Sequence, residues 1–147
     1  MSRRLIKAGH EVYGYRNNIE KAQEQYYKGY LSGYTTSLES LVQVVHKDKR
    51  EYSSQGEIPG VFMMVVPAES VEDTLNELLQ FCSEGDIIID HGNSNFKDSR
   101  QRAERLSKLG IHYLDCGTSG GVYGLERGYC LMVGGTTGAV RVASPIF

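Results

Sequence analysis

Apolar residues fall in short runs that predict the strands of this chain. Residues 61–66 are continuously apolar and residues 86–90 hold three consecutive isoleucines, which is typical of parallel strands buried on both faces. Residues 11–15 alternate in the manner of a strand, and a further strand ends near Leu114 and Asp115 in a glycine-rich loop. We therefore predict a strand in each of these four places.

Helical spacing of apolar residues occupies the intervals between the predicted strands. The predicted helices comprise residues 2–8, 19–28, 38–45, 69–81 and 97–109. Local signals mark three of their starts, since an Asn-containing turn precedes the second helix, Thr36 and Glu39 form a capping box for the third, and Ser94 or Asn95 caps the last. The mixed charges of residues 46–60 predict a solvated loop.

The alternation of strands and helices predicts the fold class. Such an order implies an α/β fold, in which right-handed crossovers build a Rossmann-like, doubly wound parallel sheet. A chain of 147 residues, 40% hydrophobic and 23% charged, has the composition and length of one globular domain.

Charge and cysteine content exclude several classes of function. A formal net charge of -2 offers no basic surface for nucleic acid, and no apolar run is long enough to cross a bilayer. The three cysteines lack a Cys-x-x-Cys pair and His10, His46 and His112 lack ligand spacing, so we expect no metal site and reduced, buried thiols. The first residues are basic without an apolar core, which predicts a cytoplasmic protein.

Two strand ends carry the candidate chemistry. Residues 114–121 end in Gly-Thr-Ser-Gly-Gly, where glycines allow backbone N–H groups and the neighbouring hydroxyls to approach an oxygen-rich anion. Asp90 likewise leads directly into the polar turn His91-Gly92-Asn93-Ser94. Because open α/β sheets bind ligands at the carboxyl ends of their strands, we expect these two segments to form one site.

Several motifs together resemble a known enzyme family. The strings DHGNSNFKDS at 90–99, GIH at 110–112, DCGTSGGVYGLE at 115–126 and GYCLMVGG at 128–135 occur in this order. They closely resemble decarboxylating 6-phosphogluconate dehydrogenase, best its shorter-chain bacterial branch, over most of the sequence. The resemblance implies oxidation of the C3 hydroxyl of 6-phosphogluconate by hydride transfer to a nicotinamide, followed by loss of CO2 to give ribulose 5-phosphate, a reaction of the pentose phosphate pathway.

The same resemblance implies binding residues. It implies that the substrate loop comprises Ser119, Gly120 and Gly121, and that Asn93 touches both cofactor and substrate. It also implies an adenosine pocket that comprises Val66, Pro67 and Ala68, and a ribose-reading turn that comprises Arg16, Asn17 and Asn18. Because arginine can pair with a 2′-phosphate and no acid is present in that turn, we expect NADP, with NAD as the alternative.

No catalytic residue can be assigned from the resemblance. The family's lysine base and glutamate acid belong to a helical domain that has no counterpart here, so we expect an incomplete domain that is inactive alone. His91 stands where the family usually has glycine, and we expect a solvent-side loop residue rather than a proton carrier. Family members form homodimers or homotetramers largely through the helical domain, so the family's quaternary structure does not transfer to this chain.

The start of the family fold also has no match. A Rossmann domain begins with a strand and a G-x-G-x-x-G loop that binds the pyrophosphate, and neither occurs in this sequence. The unmatched strand belongs between the strands predicted at 11–15 and 61–66, so we expect poor stability unless those strands pair or another segment fills the gap.

Two other functions stay open: a non-catalytic protein that binds a sugar acid or an intact enzyme, and a related β-hydroxyacid dehydrogenase.

Overall fold

The first five helices of the chain follow the predicted order, and two further helices come after them. The computed structural model describes the backbone of residues 1–52 and 59–147 and the side chains of residues 1–47 and 59–147. Its helices are α1 (Ser2–Lys7), α2 (Ile19–Tyr27), α3 (Leu38–Tyr52), α4 (Val71–Leu78), α5 (Phe96–Ser107), α6 (Gly124–Arg127) and α7 (Thr137–Ala143). Short 3₁₀ turns comprise Ala68–Ser70, Gly121–Tyr123 and Ser144–Ile146. In the described part of the chain no helix is both long and apolar enough to cross a membrane.

Six strands form two separate sheets. The strands are β1 (Tyr13–Gly14), β2 (Gly33–Tyr34), β3 (Val61–Met64), β4 (Ile87–Asp90), β5 (His112–Ser119) and β6 (Cys130–Gly134). β1 and β2 form a two-stranded parallel sheet, and the larger sheet has the order β3-β4-β5-β6. β3, β4 and β5 are parallel, whereas β6 runs antiparallel to β5. The α/β class and the Rossmann-like winding are confirmed.

Two apolar clusters cover opposite faces of the larger sheet, and β4 contributes to both. Ile88 lies in one cluster with Leu75 of α4, whereas Ile87 and Ile89 lie in the other with Ala139 of α7. This division follows from the strand geometry, because successive side chains point to opposite faces. All four residues of β4 are buried, as the run of isoleucines predicts for an interior strand.

The third helix differs most from the prediction. It extends to Tyr52, so the predicted loop is wrong for residues 46–52, while residues 53–58 lie outside the described part. His46 of α3 makes a 2.9 Å contact through Nε2 with a carboxylate oxygen of the buried Asp86 at the entry to β4. The predicted Thr36 cap is also wrong, because the Ser37 hydroxyl oxygen accepts the hydrogen bond from the Ser40 N–H, at 3.1 Å.

The position predicted for the unmatched strand is the one between β1 and β3, which belong to different sheets. β1 pairs with β2 and β3 pairs with β4, and the described strands include no pairing between β1 and β3. Tyr15, just after β1, packs against the cluster that contains Ile88, so the small sheet shares the core of the larger one. The expected poor stability of the chain stays a prediction.

The cysteines are only partly as expected. Cys116 is buried as expected, whereas Cys82 is partly buried and Cys130 is exposed on the edge strand β6. The expectation of a buried thiol is therefore wrong for Cys130. β6 pairs on one side only, and its alternate residues face outward, which exposes this thiol.

Candidate functional site

The buried carboxylate of Asp90 organises the turn that follows β4. It accepts hydrogen bonds from the Gly92 N–H at 2.7 Å and the Ser94 hydroxyl at 2.6 Å, and it is fully buried. Gly92 also packs closely against the end of β3, because an added Cβ there would lie 3.0 Å from the Val66 carbonyl oxygen. The carboxyl ends of β3 and β4 are thereby joined at one edge of the sheet.

Charged residues behind the turn support Asp90. Arg102 of α5 places Nη1 3.7 Å from an Asp90 oxygen and donates from Nε to Glu72 at 2.8 Å. The Tyr113 hydroxyl donates a third hydrogen bond to Asp90, and burial, followed by this carboxylate, raises the pKa of Tyr113 well above its usual range. The hydrogen bond from Arg102 is the main cause of the lowered pKa of Glu72. The Asp90 charge is therefore compensated although it is out of water.

Asn93 connects the turn to the glycine-rich loop. Its side-chain oxygen accepts from the Thr118 N–H at 3.0 Å, and its side-chain nitrogen donates to the Thr118 carbonyl at 3.4 Å. Asn93 has φ 55°, a left-handed conformation that asparagine tolerates better than most residues. The expectation that these two strand ends meet is confirmed by these contacts.

His91 is buried, so the expectation of a solvent-side loop residue is wrong. Its side chain is 5% exposed, and Nδ1 lies 2.9 Å from the Thr118 hydroxyl oxygen. Burial lowers the pKa of His91, and the Met1 ammonium adds to this effect, while the Asp90 carboxylate opposes it. Thr118, which contacts the imidazole at the neighbouring strand end, is 27 residues away in sequence.

The predicted substrate loop begins at the end of β5. Ser119 is the last residue of that strand and is exposed, and Gly120 and Gly121 follow with φ 145° and 47°. The Tyr129 ring packs beside this loop, since an added Cβ on Gly120 would lie 3.1 Å from its Cδ1. The two glycines therefore give the loop a backbone course that other residues rarely adopt.

The residues predicted to bind the nucleotide lie in two places. Pro67 and Ala68 are exposed just beyond β3, next to the Gly92 turn that contacts Val66. The other group follows β1 on the small sheet, and all of its members are exposed: Arg16, Asn17 and Asn18. Asn17 accepts a 3.3 Å hydrogen bond from the Tyr15 hydroxyl, and Asn18 accepts one of 2.9 Å from the Lys21 N–H.

Sequence reasoning missed the residues that support the site from behind. Arg102 faces the core of the sheet, as do Ser99 and Leu106, and the spacing of three and four residues on α5 was the signal for a buried arginine. Tyr113 and Tyr129 gave no local signal, because their contacts are with residues on other elements. In the part of the chain that is described, no cluster of three metal-ligating side chains occurs.

Comparisons with known proteins identify the family. Residues 1–147 match the family described as the NAD binding domain of 6-phosphogluconate dehydrogenase. YqeC of Bacillus subtilis is 33% identical over 147 residues, which are 100% of this chain and 45% of YqeC. The NAD(+)-dependent decarboxylating 6-phosphogluconate dehydrogenase of Haloferax volcanii is 35% identical over 144 residues, with 98% of this chain and 43% of that enzyme covered.

A solved structure has the same fold. The 6-phosphogluconate dehydrogenase of Plasmodium falciparum superimposes with a TM-score of 0.78 at 24% identity, covering 99% of this chain and 30% of that one. The chain thus spans less than half the length of these relatives. The match over all 147 residues shows that this chain belongs to the 6-phosphogluconate dehydrogenase family, as its NAD-binding domain.

Proposed function

We propose that this chain provides the coenzyme site and part of the substrate site of an NAD(P)-dependent, decarboxylating 6-phosphogluconate dehydrogenase. In this reaction the C3 carbon of 6-phosphogluconate would give up its hydrogen as a hydride and the C3 hydroxyl its proton, and the resulting β-keto acid would lose CO2; a bound nicotinamide would supply the hydride acceptor. The residues of this chain bind and orient the two ligands, and we assign none of them as the general acid or base. Cytoplasmic location is part of the proposal, since a pentose phosphate enzyme acts on cytoplasmic metabolites.

The pairing of Asn93 with Thr118 carries this proposal. It uses one lone pair of the Asn93 oxygen and one N–H of its nitrogen. A primary amide has two of each, so a donor and an acceptor remain for ligands. Asn93 is exposed at the point where the β4 turn meets the loop after β5. In the proposed site this amide contacts the nicotinamide on one side and the sugar acid on the other.

The loop after β5 suits the acid end of 6-phosphogluconate. Ser119 offers an exposed hydroxyl, and the successive backbone N–H groups of Gly120 and Gly121 suit an oxyanion. A carboxylate bound there would receive charge-assisted hydrogen bonds, which are stronger than neutral ones. Positive φ at both glycines supports this role, because residues with a Cβ would change the direction of these N–H groups.

Arg16 supports NADP as the preferred cofactor. It is exposed directly after β1, and a guanidinium there can pair with a 2′-phosphate. Asn18 takes part mainly as the cap of α2, because its side-chain oxygen already accepts the Lys21 N–H. The adenosine would lie between this turn and the exposed Pro67 and Ala68 beyond β3. NAD is the alternative cofactor, and the Arg16→Ala variant distinguishes the two by losing affinity for NADP more than for NAD.

Thermal unfolding of the 147-residue chain with separate additions of NADP, NAD and 6-phosphogluconate tests the proposal. A ligand that binds only the folded state raises the midpoint, and a concentration of 100 Kd adds about 2.7 kcal/mol. We expect midpoint shifts with NADP and 6-phosphogluconate and no shift with glucose 6-phosphate, which lacks the carboxylate. A midpoint indifferent to both NADP and NAD and to 6-phosphogluconate would refute the proposed function.

Matched serine variants localise the substrate. Ser119→Ala removes the exposed hydroxyl of the loop, whereas Ser107→Ala removes an exposed hydroxyl at the end of α5. We expect Ser119→Ala alone to reduce the midpoint shift produced by 6-phosphogluconate, with the NADP shift retained. Equal behaviour of the two variants would place the sugar acid elsewhere.

A further inference from the structure

Thr118 is held from two sides by the turn after β4. Asn93 pairs with both polar groups of the Thr118 backbone, while His91 contacts the Thr118 side chain at 2.9 Å. The next residues along the chain are those of the proposed sugar-acid loop, Ser119 to Gly121. The orientation of Thr118 therefore sets the direction in which this loop leaves β5.

The hydrogen bonds of the Thr118 hydroxyl fix the proton position on His91. The hydroxyl lies 3.0 Å from the Cys116 carbonyl oxygen, to which it can only donate. A hydroxyl has a single proton, so its oxygen must accept from His91, and the proton of the neutral imidazole lies on Nδ1. Nε2 then carries a lone pair, and it is buried with no hydrogen-bond partner among the described residues.

Keeping an unpaired acceptor in the interior costs free energy. A glycine or a small apolar residue at position 91 would avoid that cost, and burial also opposes a charged ring. The contact with Thr118 is the one hydrogen bond of the His91 ring that the structure records. A role for that contact would explain why a polar ring occupies this buried position.

We propose that His91, with its proton on Nδ1, is a positioning residue of the sugar-acid site, which it serves by fixing Thr118 and thereby the loop from Ser119 to Gly121. This inference rests on the proposed function for the identity of the ligand. His91 acts through Thr118 and transfers no proton to the substrate. Its replacement therefore weakens binding of the sugar acid more than binding of the dinucleotide.

The proton position is tested by nitrogen NMR of the histidine side chains in the unliganded 147-residue chain. We expect the His91 ring to carry its proton on Nδ1 near neutral pH, and Thr118→Val to shift that resonance while Thr118→Ser preserves it. The exposed His112 serves as the internal control and stays unchanged in both variants. A proton on Nε2 of His91, or no response to Thr118→Val, would overturn the proposal.

Affinities for 6-phosphogluconate and NADP test the positioning role. His91→Leu removes the donor at similar volume, whereas the side-chain nitrogen of His91→Asn lies two bonds from Cβ, as Nδ1 does, and can still donate to Thr118. We expect His91→Leu to weaken binding of 6-phosphogluconate about tenfold, the value of one hydrogen bond of about 1.4 kcal/mol, with NADP affinity changed less than about twofold. His91→Asn should recover most of the loss.

A double-mutant cycle completes the test. Because His91→Leu and Thr118→Val break the same contact, we expect the double variant to lose little more affinity than either single variant. Equal losses for both ligands, or additive losses in the cycle, would show a merely structural role and overturn the proposal. If the wild-type chain binds no 6-phosphogluconate, the proposed function fails and the assignment of His91 to a sugar-acid site fails with it. A wild-type chain that binds the sugar acid while His91→Leu leaves the affinity unchanged would refute the inference alone.

Discussion

The Tyr113 hydroxyl donates a 2.6 Å hydrogen bond to the fully buried carboxylate of Asp90. The two residues lie on adjacent parallel strands, β5 and β4. The same carboxylate holds Gly92 and Ser94 of the turn, so the hydrogen bond joins the interior of the sheet to the candidate site. The shape of the site therefore depends on a charge that is kept out of water.

Asp90→Asn should be strongly destabilising. The variant keeps the shape of the side chain but removes the charge beside Arg102, whose side chain is 9% exposed, and brings an amide N–H group towards existing donors. Breaking a buried charge pair costs about 3 kcal/mol or more, which urea unfolding should detect. Tyr113→Phe is the matched control, because it removes one donor and costs only about 1 kcal/mol. Equal losses would mean that the Asp90 charge is unimportant.

Gly92→Ala should destabilise the chain by overpacking the turn. An added Cβ would lie 2.7 Å from Val71 Cγ2, 2.9 Å from an Asp90 carboxylate oxygen and 3.0 Å from the Val66 carbonyl. Two of these three atoms belong to a buried carboxylate and to the backbone, which cannot move aside cheaply, so we expect a loss of about 1–3 kcal/mol. Thermal or urea unfolding gives the measurement.

Gly138→Ala should change the stability of the same chain in the opposite direction. Gly138 lies in α7 with no atom within 4 Å of an added Cβ, and alanine in a helix is more stable than glycine by about 0.5–1 kcal/mol. We therefore expect Gly138→Ala to stabilise the chain while Gly92→Ala destabilises it. A neutral Gly92→Ala would show that the contact between the ends of β3 and β4 is loose.

Local chemistry was sufficient to predict much of this fold. Asn95 caps α5 by accepting the Lys97 N–H at 2.9 Å, as its position before a helical pattern indicated. β4 was predicted because three isoleucines in succession favour a strand buried on both faces. These signals depend on neighbours a few residues away, so the sequence displays them directly.

Features that depend on distant contacts could not be predicted in this way. β6 was missed because its apolar run is short, and its antiparallel pairing with β5 is made with residues outside that run. His91 is buried and contacts Thr118, 27 residues away in sequence, and nothing beside His91 signals the burial or the contact. The candidate site was located from motifs at the strand ends, whereas Arg102 and Tyr113 behind it required the folded structure.

Two substitutions of Asn93 should separate the effect of its backbone conformation on stability from the effect of its side chain on binding. Its φ of 55° suits asparagine or glycine, whereas alanine there costs about 1 kcal/mol. Both Asn93→Gly and Asn93→Ala remove the pairing with Thr118, so we expect both to weaken binding of NADP and of 6-phosphogluconate. Asn93→Ala should unfold at lower urea concentration than Asn93→Gly. Equal stability of the two variants would show that the turn relaxes out of the left-handed conformation.

The lowered pKa of His91 predicts a pH dependence of stability. Burial is its main cause, the Met1 ammonium contributes, and the Asp90 carboxylate opposes it. A histidine whose folded pKa lies below the ordinary value of 6.5 binds a proton more readily when unfolded, so its contribution to stability is present above that value. Stability should therefore fall as the pH decreases below 6.5 and towards the folded pKa.

Urea unfolding between about pH 7.5 and pH 5.5 measures this loss. His91→Asn cannot take up the proton, so we expect its stability to vary less over this interval than that of the wild-type chain. His112→Asn is the matched control, because it makes the same replacement at an exposed position at the start of β5. Parallel curves for the wild-type chain and His91→Asn would contradict the prediction, because they would mean that His91 has the same pKa in the folded and the unfolded state.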